Sequence, residues 1–201
     1  MKKIILASGS PRRKELLEML NVKFEVIPDN SPESIKENCE PDEIVCSLAR
    51  DKCLNVSKKI NYDAIVIAAD TIVFVDGKLI GKPKDKDEAF EMLSNLSGKE
   101  HEVYTGVSII DTMLGKNVLF FEKTKVKFKK LCDEEIIDYI KTGEPMDKAG
   151  AYGIQNLGAL FVEKIDGDYF NVVGLPVCKL GEALKKEFGI NIIDDFSLNK
   201  I

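Results

Sequence analysis

The chain has 201 residues, 44% of them hydrophobic, and a formal net charge of −5. That is enough apolar material for one sizeable core or two small lobes, and the negative balance excludes broad binding of nucleic acid or of an anionic membrane surface. The five cysteines, Cys39, Cys46, Cys53, Cys132 and Cys178, form no CxxC pair and are odd in number, which argues against a disulfide framework or a zinc cage and for reduced thiols in the cytoplasm.

Only four strongly apolar residues follow Met1-Lys2-Lys3, too few for a secretory signal core, and no run reaches membrane-spanning length. A single α/β domain over residues 1–201 is expected. Ile4-Ile5-Leu6-Ala7 reads as a short buried strand, and Leu16, Leu17 and Leu20 share one face of a helix. Between them stand Ser8-Gly9-Ser10-Pro11-Arg12-Arg13. Ser10 suits the N-cap, Pro11 the first helical position, and Gly9 a tight backbone. The first turn of a helix carries partial positive charge and favours Asp or Glu, yet this one carries Arg12, Arg13 and Lys14. A bound polyanion such as phosphate, held by N–H groups, seryl hydroxyls and guanidinium forks, would compensate. An ordinary capped helix with two solvated arginines is the competing reading.

Residues 24–27 read as a second strand, followed by a loop through Pro28-Asp29-Asn30-Ser31-Pro32-Glu33. A loop glutamate such as Glu33 is ordinarily only solvated. From Pro41 a long helix is signalled by Val45, Leu48, Ala49, Val56 and Ile60. Lys52 interrupts that apolar stripe, so its ammonium reaches either water or a charged partner or phosphate in a cleft. Ala64-Ile65-Val66-Ile67-Ala68-Ala69 lacks alternation, as in a strand covered on both faces, and is expected to end on Asp70-Thr71. A carboxylate at the end of a central strand opens where α/β proteins place their ligands; capping a neighbouring loop is the alternative.

A hairpin turning at Asp76-Gly77 follows, and its return strand delivers Gly81-Lys82-Pro83, with Lys82 either solvated or facing a ligand. Asp85 opens a helix with Glu88 completing a capping box, Ala89, Met92, Leu93 and Leu96 inward, and Gly98 closing it. His101, the only histidine, is a poor metal ligand without companions and reads as structural, ahead of a strand starting near Val103. Residues 107–110, 118–121 and 123–129 read as strands, and residues 133–141 as a helix stopped by Gly143. Residues 144–155 form a long loop too apolar for disorder. Segments 159–165 and 169–173 flank a turn at Asp166-Gly167-Asp168, and Pro176 starts a final helix with Val177, Leu180, Leu184 and Phe188 inward.

These candidates include no nucleophile triad, since neither serine has a nearby histidine in sequence and no cysteine has the surroundings of an activated thiolate. Carboxylates with Arg and Lys suit metal-assisted attack of water on a phosphoryl group, that is, phosphoanhydride hydrolysis. The loop is not a Walker A sequence and no GxGxxG follows the first strand.

Taken with Ala68-Ala69-Asp70-Thr71, Gly81-Lys82-Pro83, residues 101–107 and residues 148–155, the loop Ser8-Gly9-Ser10-Pro11-Arg12-Arg13 resembles the Maf family of nucleoside triphosphate pyrophosphatases, nearly end to end. The resemblance implies an inosine-triphosphatase-like α/β fold, an elongated mixed sheet flanked by helices around a deep central cleft, and often a homodimer. It implies cleavage of a nucleoside triphosphate to monophosphate and pyrophosphate with Mg²⁺ or Mn²⁺, in a housecleaning role. Position by position, Asp70 matches the proton acceptor, and Ser8, Arg12, Arg13, Lys52 and Lys82 match the triphosphate-binding set. Glu33 matches a cleft acid and, with Asp70, a metal ligand. Arg12, Thr71 and Gln155 match positions tied to base selection in the branch acting on dTTP and UTP, which Ala151-Tyr152-Gly153-Ile154-Gln155 and Asn171-Val172-Val173-Gly174-Leu175-Pro176 also resemble. An amide such as Gln155 can donate to a pyrimidine carbonyl and accept from its ring N–H. Asn30-Ser31-Pro32 departs from the more acidic loop of relatives, which weakens metal ligation there. A non-catalytic nucleotide-binding regulator of cell division or septum formation is the alternative that the family's history suggests.

Overall fold

The computed structural model describes residues 2–32 and 39–194. Its core is a seven-stranded mixed sheet: β1 (Lys3–Leu6), β2 (Phe24–Val26), β3 (Ala64–Val75), β4 (Lys78–Ile80), β5 (Glu100–Asp111), β6 (Asn117–Phe128) and β7 (Val162–Asp166). The order is β2-β1-β3-β5-β6-β7, with β4 paired to β3. β1 runs parallel to both β2 and β3, while β4 and β7 are antiparallel to their neighbours. The helices are α1 (Pro11–Met19), α2 (Pro41–Ser57), α3 (Lys86–Leu96), α4 (Asp133–Lys141), α5 (Tyr169–Val173) and α6 (Val177–Phe188). The α/β class expected from the sequence is the class observed.

The chain forms two compact units. The first comprises Met1–Asp70, Thr105–Phe121 and Gly174–Ile201; the second comprises Thr71–Tyr104 and Glu122–Val173.

In the first unit, alternation along the strands decides what meets α2. Ile5 and Ala7 of the β1 segment and Ala64, Val66 and Ala68 of β3 share one face, because successive side chains point to opposite sides. They form a dry cluster with Cys53 and Val56 of α2 and Ile110 of β5. Burying a Val or Ile in this way is worth about 1.5–3 kcal/mol per side chain. The opposite face, with Ile65 and Ile67, is equally buried, which is why the run shows no alternation. Gly106 of β5 lies under α2, where a Cβ would fall 2.4 Å from the backbone of Val45. The helix can approach so closely only because that side chain is missing.

Several elements differ from the sequence reading. β3 continues unbroken for 12 residues, so Asp70 lies in its interior. The residues after Asp70, Thr71-Ile72-Val73-Phe74-Val75, are β-branched or aromatic, and Val73–Val75 pair onward with β4 through the Asp76-Gly77 turn, where both φ angles are positive. The strands expected at 118–121 and 123–129 are one strand, β6, and His101 lies within β5. Glu88 takes the N–H of Lys84 at 2.7 Å, while Asp85 caps α3 through the N–H of Glu88 at 2.8 Å. The segment Tyr169–Val173 is helical. Asp168 Oδ1 accepts the N–H of Phe170 at 2.8 Å, and buried Asn171 donates to the Val103 carbonyl and to Thr124 Oγ1, both at 3.0 Å. A cap and two long-range bonds thus override the strand-forming side chains. Met92, Val177 and Phe188 are half-buried at the margins of their apolar stripes, and Leu20 and Ile60, also half-buried, lie just past the ends of α1 and α2.

Candidate active site

In the first unit the loop after β1 becomes a built structure. Ala7 N–H donates to the Ile67 carbonyl at 2.8 Å, which carries the β1–β3 register one step past the strand, so residues 8–13 leave the sheet beside the segment of β3 that holds Asp70. Ser10 occupies the N-cap without a side-chain cap bond. Its N–H donates to Ser8 Oγ at 3.3 Å, and Arg13 Nη1 donates to the same oxygen at 3.1 Å. Two donors thus take the lone pairs of the Ser8 hydroxyl, and its proton is directed elsewhere. Arg13 Nε donates to the Gly174 carbonyl at 2.8 Å, which fixes the plane of the guanidinium. Nothing local in the sequence links residues 13 and 174. Ser8 is nearly buried, Arg12 and Arg13 half-buried.

Asp70 follows Ala64, Val66 and Ala68 in the period of two, so it points to the α2 side of the sheet. There Lys52 meets it: the Lys52 ammonium donates to Asp70 Oδ1, with only 17% and 11% of the two side chains exposed. The lysine that broke the apolar stripe of α2 is therefore paired with a carboxylate. A cavity of about 260 Å³ opens beside Lys52, lined also by Asp29, Ser31, Pro32, Asn55 and Lys58.

Sequence reasoning passed over Asp29. Its Oδ2 accepts from Asn55 Nδ2 at 3.0 Å, and its Oδ1 accepts from Ser31 Oγ at 2.8 Å and from Ser31 N–H at 3.3 Å. Partial burial pushes its pKa up, but the bonds from Asn55 and Ser31 outweigh that and hold the carboxyl below the usual range. Asp29 thus ties the loop leading toward Glu33 onto α2. Glu33 itself lies outside the described residues.

In the second unit, Thr71 is half-buried on β3 and Lys82 is exposed after β4. The Gly150 N–H donates to the Gly81 carbonyl at 2.9 Å, which ties the loop of Lys82 to the segment leading into Gln155. That segment, expected to be an irregular loop, folds as short 3₁₀ turns at Glu144–Asp147, Ala149–Ala151 and Asn156–Phe161, with Gln155 half-buried at the entry to the last. His101 is buried and structural, as expected: its Nε2 is 2.7 Å from the Tyr152 hydroxyl, and its ring packs edge-on against Phe128 and Tyr152. Burial lowers its pKa to about 4.

Among the described residues, no three His, Cys, Asp or Glu side chains gather into a ready-made metal cage. Asp70 contributes hard carboxylate oxygens, a donor set that suits Mg²⁺ or Mn²⁺ ligated in part by a substrate's own phosphates. No helix among the described residues is long and apolar enough to cross a membrane, and the five cysteines are free thiols.

A mixed-sheet α/β protein with an arginine-bearing loop after its first strand and a helix lysine paired to an aspartate of the neighbouring strand has the build of an enzyme that handles phosphorylated ligands. Comparison with known proteins narrows this. The chain belongs to the Maf family, residues 3–187 matching the model of the Maf-like protein. It is 56% identical over 191 residues to the dTTP/UTP pyrophosphatase of Thermoanaerobacter sp. (strain X514), covering 95% of this chain and 100% of that one. It is 52% identical to the dTTP/UTP pyrophosphatase of Clostridioides difficile (strain 630), covering 94% and 97%. Among solved structures it is similar to a HAM1 protein from Coxiella burnetii, at 14% identity and a TM-score of 0.46, covering 80% of this chain and 92% of that one.

Proposed function

We propose that this chain is a nucleoside triphosphate pyrophosphatase acting foremost on dTTP and UTP, releasing the nucleoside monophosphate and pyrophosphate. The observation that carries the proposal is the Lys52–Asp70 pair on the α2 face of β3, beside the loop of Ser8 and Arg13. The dTTP/UTP pyrophosphatases at 52–56% identity supply the substrate class.

In this mechanism the triphosphate enters as a polyanion. Arg12, Arg13 and the Ser8 hydroxyl take its phosphate oxygens in the first unit, and Lys82 belongs to the triphosphate-binding set by the family resemblance. Without substrate, Lys52 neutralises Asp70. When phosphate oxygens compete for the ammonium, Asp70 is left to accept a proton. Its carboxylate takes that proton from a water attacking the α-phosphorus, the bond from the α-phosphorus to the bridging oxygen breaks, and pyrophosphate leaves with the bond's electron pair. A divalent cation held by Asp70 and, by resemblance, Glu33 would neutralise charge on the phosphates and lower the pKa of the water. The Gln155 amide reads the pyrimidine edge, and by the family resemblance Arg12 and Thr71 match positions tied to base choice. The chain works in this reading as a single cytoplasmic domain, in a housecleaning role and as a homodimer. A non-catalytic regulator has no use for a carboxylate held against a displaceable lysine, so the catalytic reading is favoured.

The test is product analysis with a panel of nucleoside triphosphates and Mg²⁺ or Mn²⁺. Pyrophosphate from dTTP and UTP, with little from ATP or GTP, is the expected result. Orthophosphate as the first product, or binding without turnover, would overturn the proposal.

A further inference from the structure

Gln155 sits in a turn whose backbone is held on both sides by one carboxylate and one phenol, all within the second unit. Glu144 Oε1 accepts from the Tyr139 hydroxyl at 2.9 Å and from Gly158 N–H at 3.3 Å, and Oε2 accepts from Leu157 N–H at 3.3 Å. The Tyr139 oxygen in turn accepts from Gly153 N–H at 3.3 Å. The amides so held flank Gln155 in the chain.

The two ends of the turn are also in close contact. A Cβ at Gly158 would lie 2.1 Å from the Gly153 carbonyl oxygen and 2.9 Å from Tyr139 Oη, so only glycine lets the turn close. Lys148 Nζ donates to the Glu144 carbonyl at 2.6 Å and fixes the backbone from which the carboxylate extends. Burial, with the nearby Glu144 carboxylate adding to it, pushes the Tyr139 hydroxyl far above its ordinary pKa, so it remains a donor at working pH.

The geometry points to Glu144 and Tyr139 as positioning residues for base specificity: together they hold the turn 153–158 in the one conformation that presents the Gln155 amide to a pyrimidine edge. The inference rests on the reading of Gln155 given above. A site that reads a base through donors and acceptors discriminates only while their directions are fixed. Glu144 fits that role because its two oxygens serve three donors, which no neutral side chain can match.

The test uses the full chain carrying Glu144→Gln, Glu144→Asp, Tyr139→Phe or Gln155→Ala, with pyrophosphate release measured for UTP, dTTP, CTP, GTP and ATP. In Glu144→Gln and Tyr139→Phe the preference for the favoured nucleotide falls about tenfold through KM, while kcat stays within about twofold. Glu144→Asp recovers part of the preference. The Glu144→Gln and Gln155→Ala effects fail to add in the double variant, because both act through one amide. An unchanged preference in Glu144→Gln beside a collapsed one in Gln155→Ala overturns the brace and leaves the base reading intact. A shifted preference in Glu144→Gln with none in Gln155→Ala removes Gln155 from the base reading and overturns the inference with it. Amide exchange in the unsubstituted chain gives a reading that does not depend on how the variants fold: slow exchange at Leu157 and Gly158 supports the brace, and exchange at the rate of an open loop overturns it.

Discussion

Lys52 and Asp70 are joined across eighteen residues of chain, from an α2 side chain to a carboxylate in the interior of β3. Each would be costly alone in so covered a place, and together they form a charge-assisted contact that a polyanion can exchange.

Replacing Asp70 by Asn keeps size and polarity but removes the proton acceptor. The expected loss is about 10²–10⁴-fold in kcat, with KM changed far less. Steady-state pyrophosphate release with UTP measures it; undiminished turnover would mean that another group accepts the proton.

Arg13 binds Ser8 Oγ with one nitrogen and the Gly174 carbonyl with another, a fork that lysine cannot reproduce. Arg13→Lys should lower kcat/KM for the triphosphate about tenfold or more while retaining net charge. Kinetics at two ionic strengths would expose the alternative: if charge alone mattered, the lysine variant would match the parent at low salt.

His101 has a folded-state pKa of about 4 because it is buried, against 6.5 when solvated. The unfolded chain therefore binds the proton more readily. The neutral ring contributes its full stability above pH 6.5, and that contribution is lost as pH falls toward 4, in total about 3 kcal/mol. Urea unfolding at pH 7 and pH 4.5 should show a steeper loss in the parent than in His101→Gln, and parallel losses would contradict the assignment.

Gly106→Ala would place a methyl 2.4 Å from the backbone of Val45. Since neither a strand nor a helix backbone can yield by that much, a destabilisation of about 3 kcal/mol is expected in chemical denaturation. An unchanged midpoint would mean that α2 does not lie against β5 at this point.

Much of the local structure was legible in the sequence. Pro11 marks the start of α1, residues 133–141 form α4 to the residue, and Asp76-Gly77 is the tight turn of a hairpin. Tyr169–Val173 was not legible as a helix, because its β-branched and aromatic side chains favour extended chain. A cap from Asp168 and buried bonds from Asn171 reverse that preference. Asp70 is recognisable as a candidate from sequence, but the continuation of its strand to Val75 is not, since local pattern does not show whether the next residues will find a pairing partner.

The sequence by itself determined helices such as α1 and α4, the hairpin turn at Asp76-Gly77, the covered character of β3 and the charge anomaly of residues 8–13, because periodicity, capping and turn chemistry act over a few residues. Only the tertiary structure decided that Lys52 pairs with Asp70, that Arg13 is locked by the carbonyl of Gly174, and that Glu144 and Tyr139 close the turn around Gln155. Those contacts depend on directions in space set by strand alternation and helix packing, and residues far apart in the chain carry no local mark of the partner they will meet.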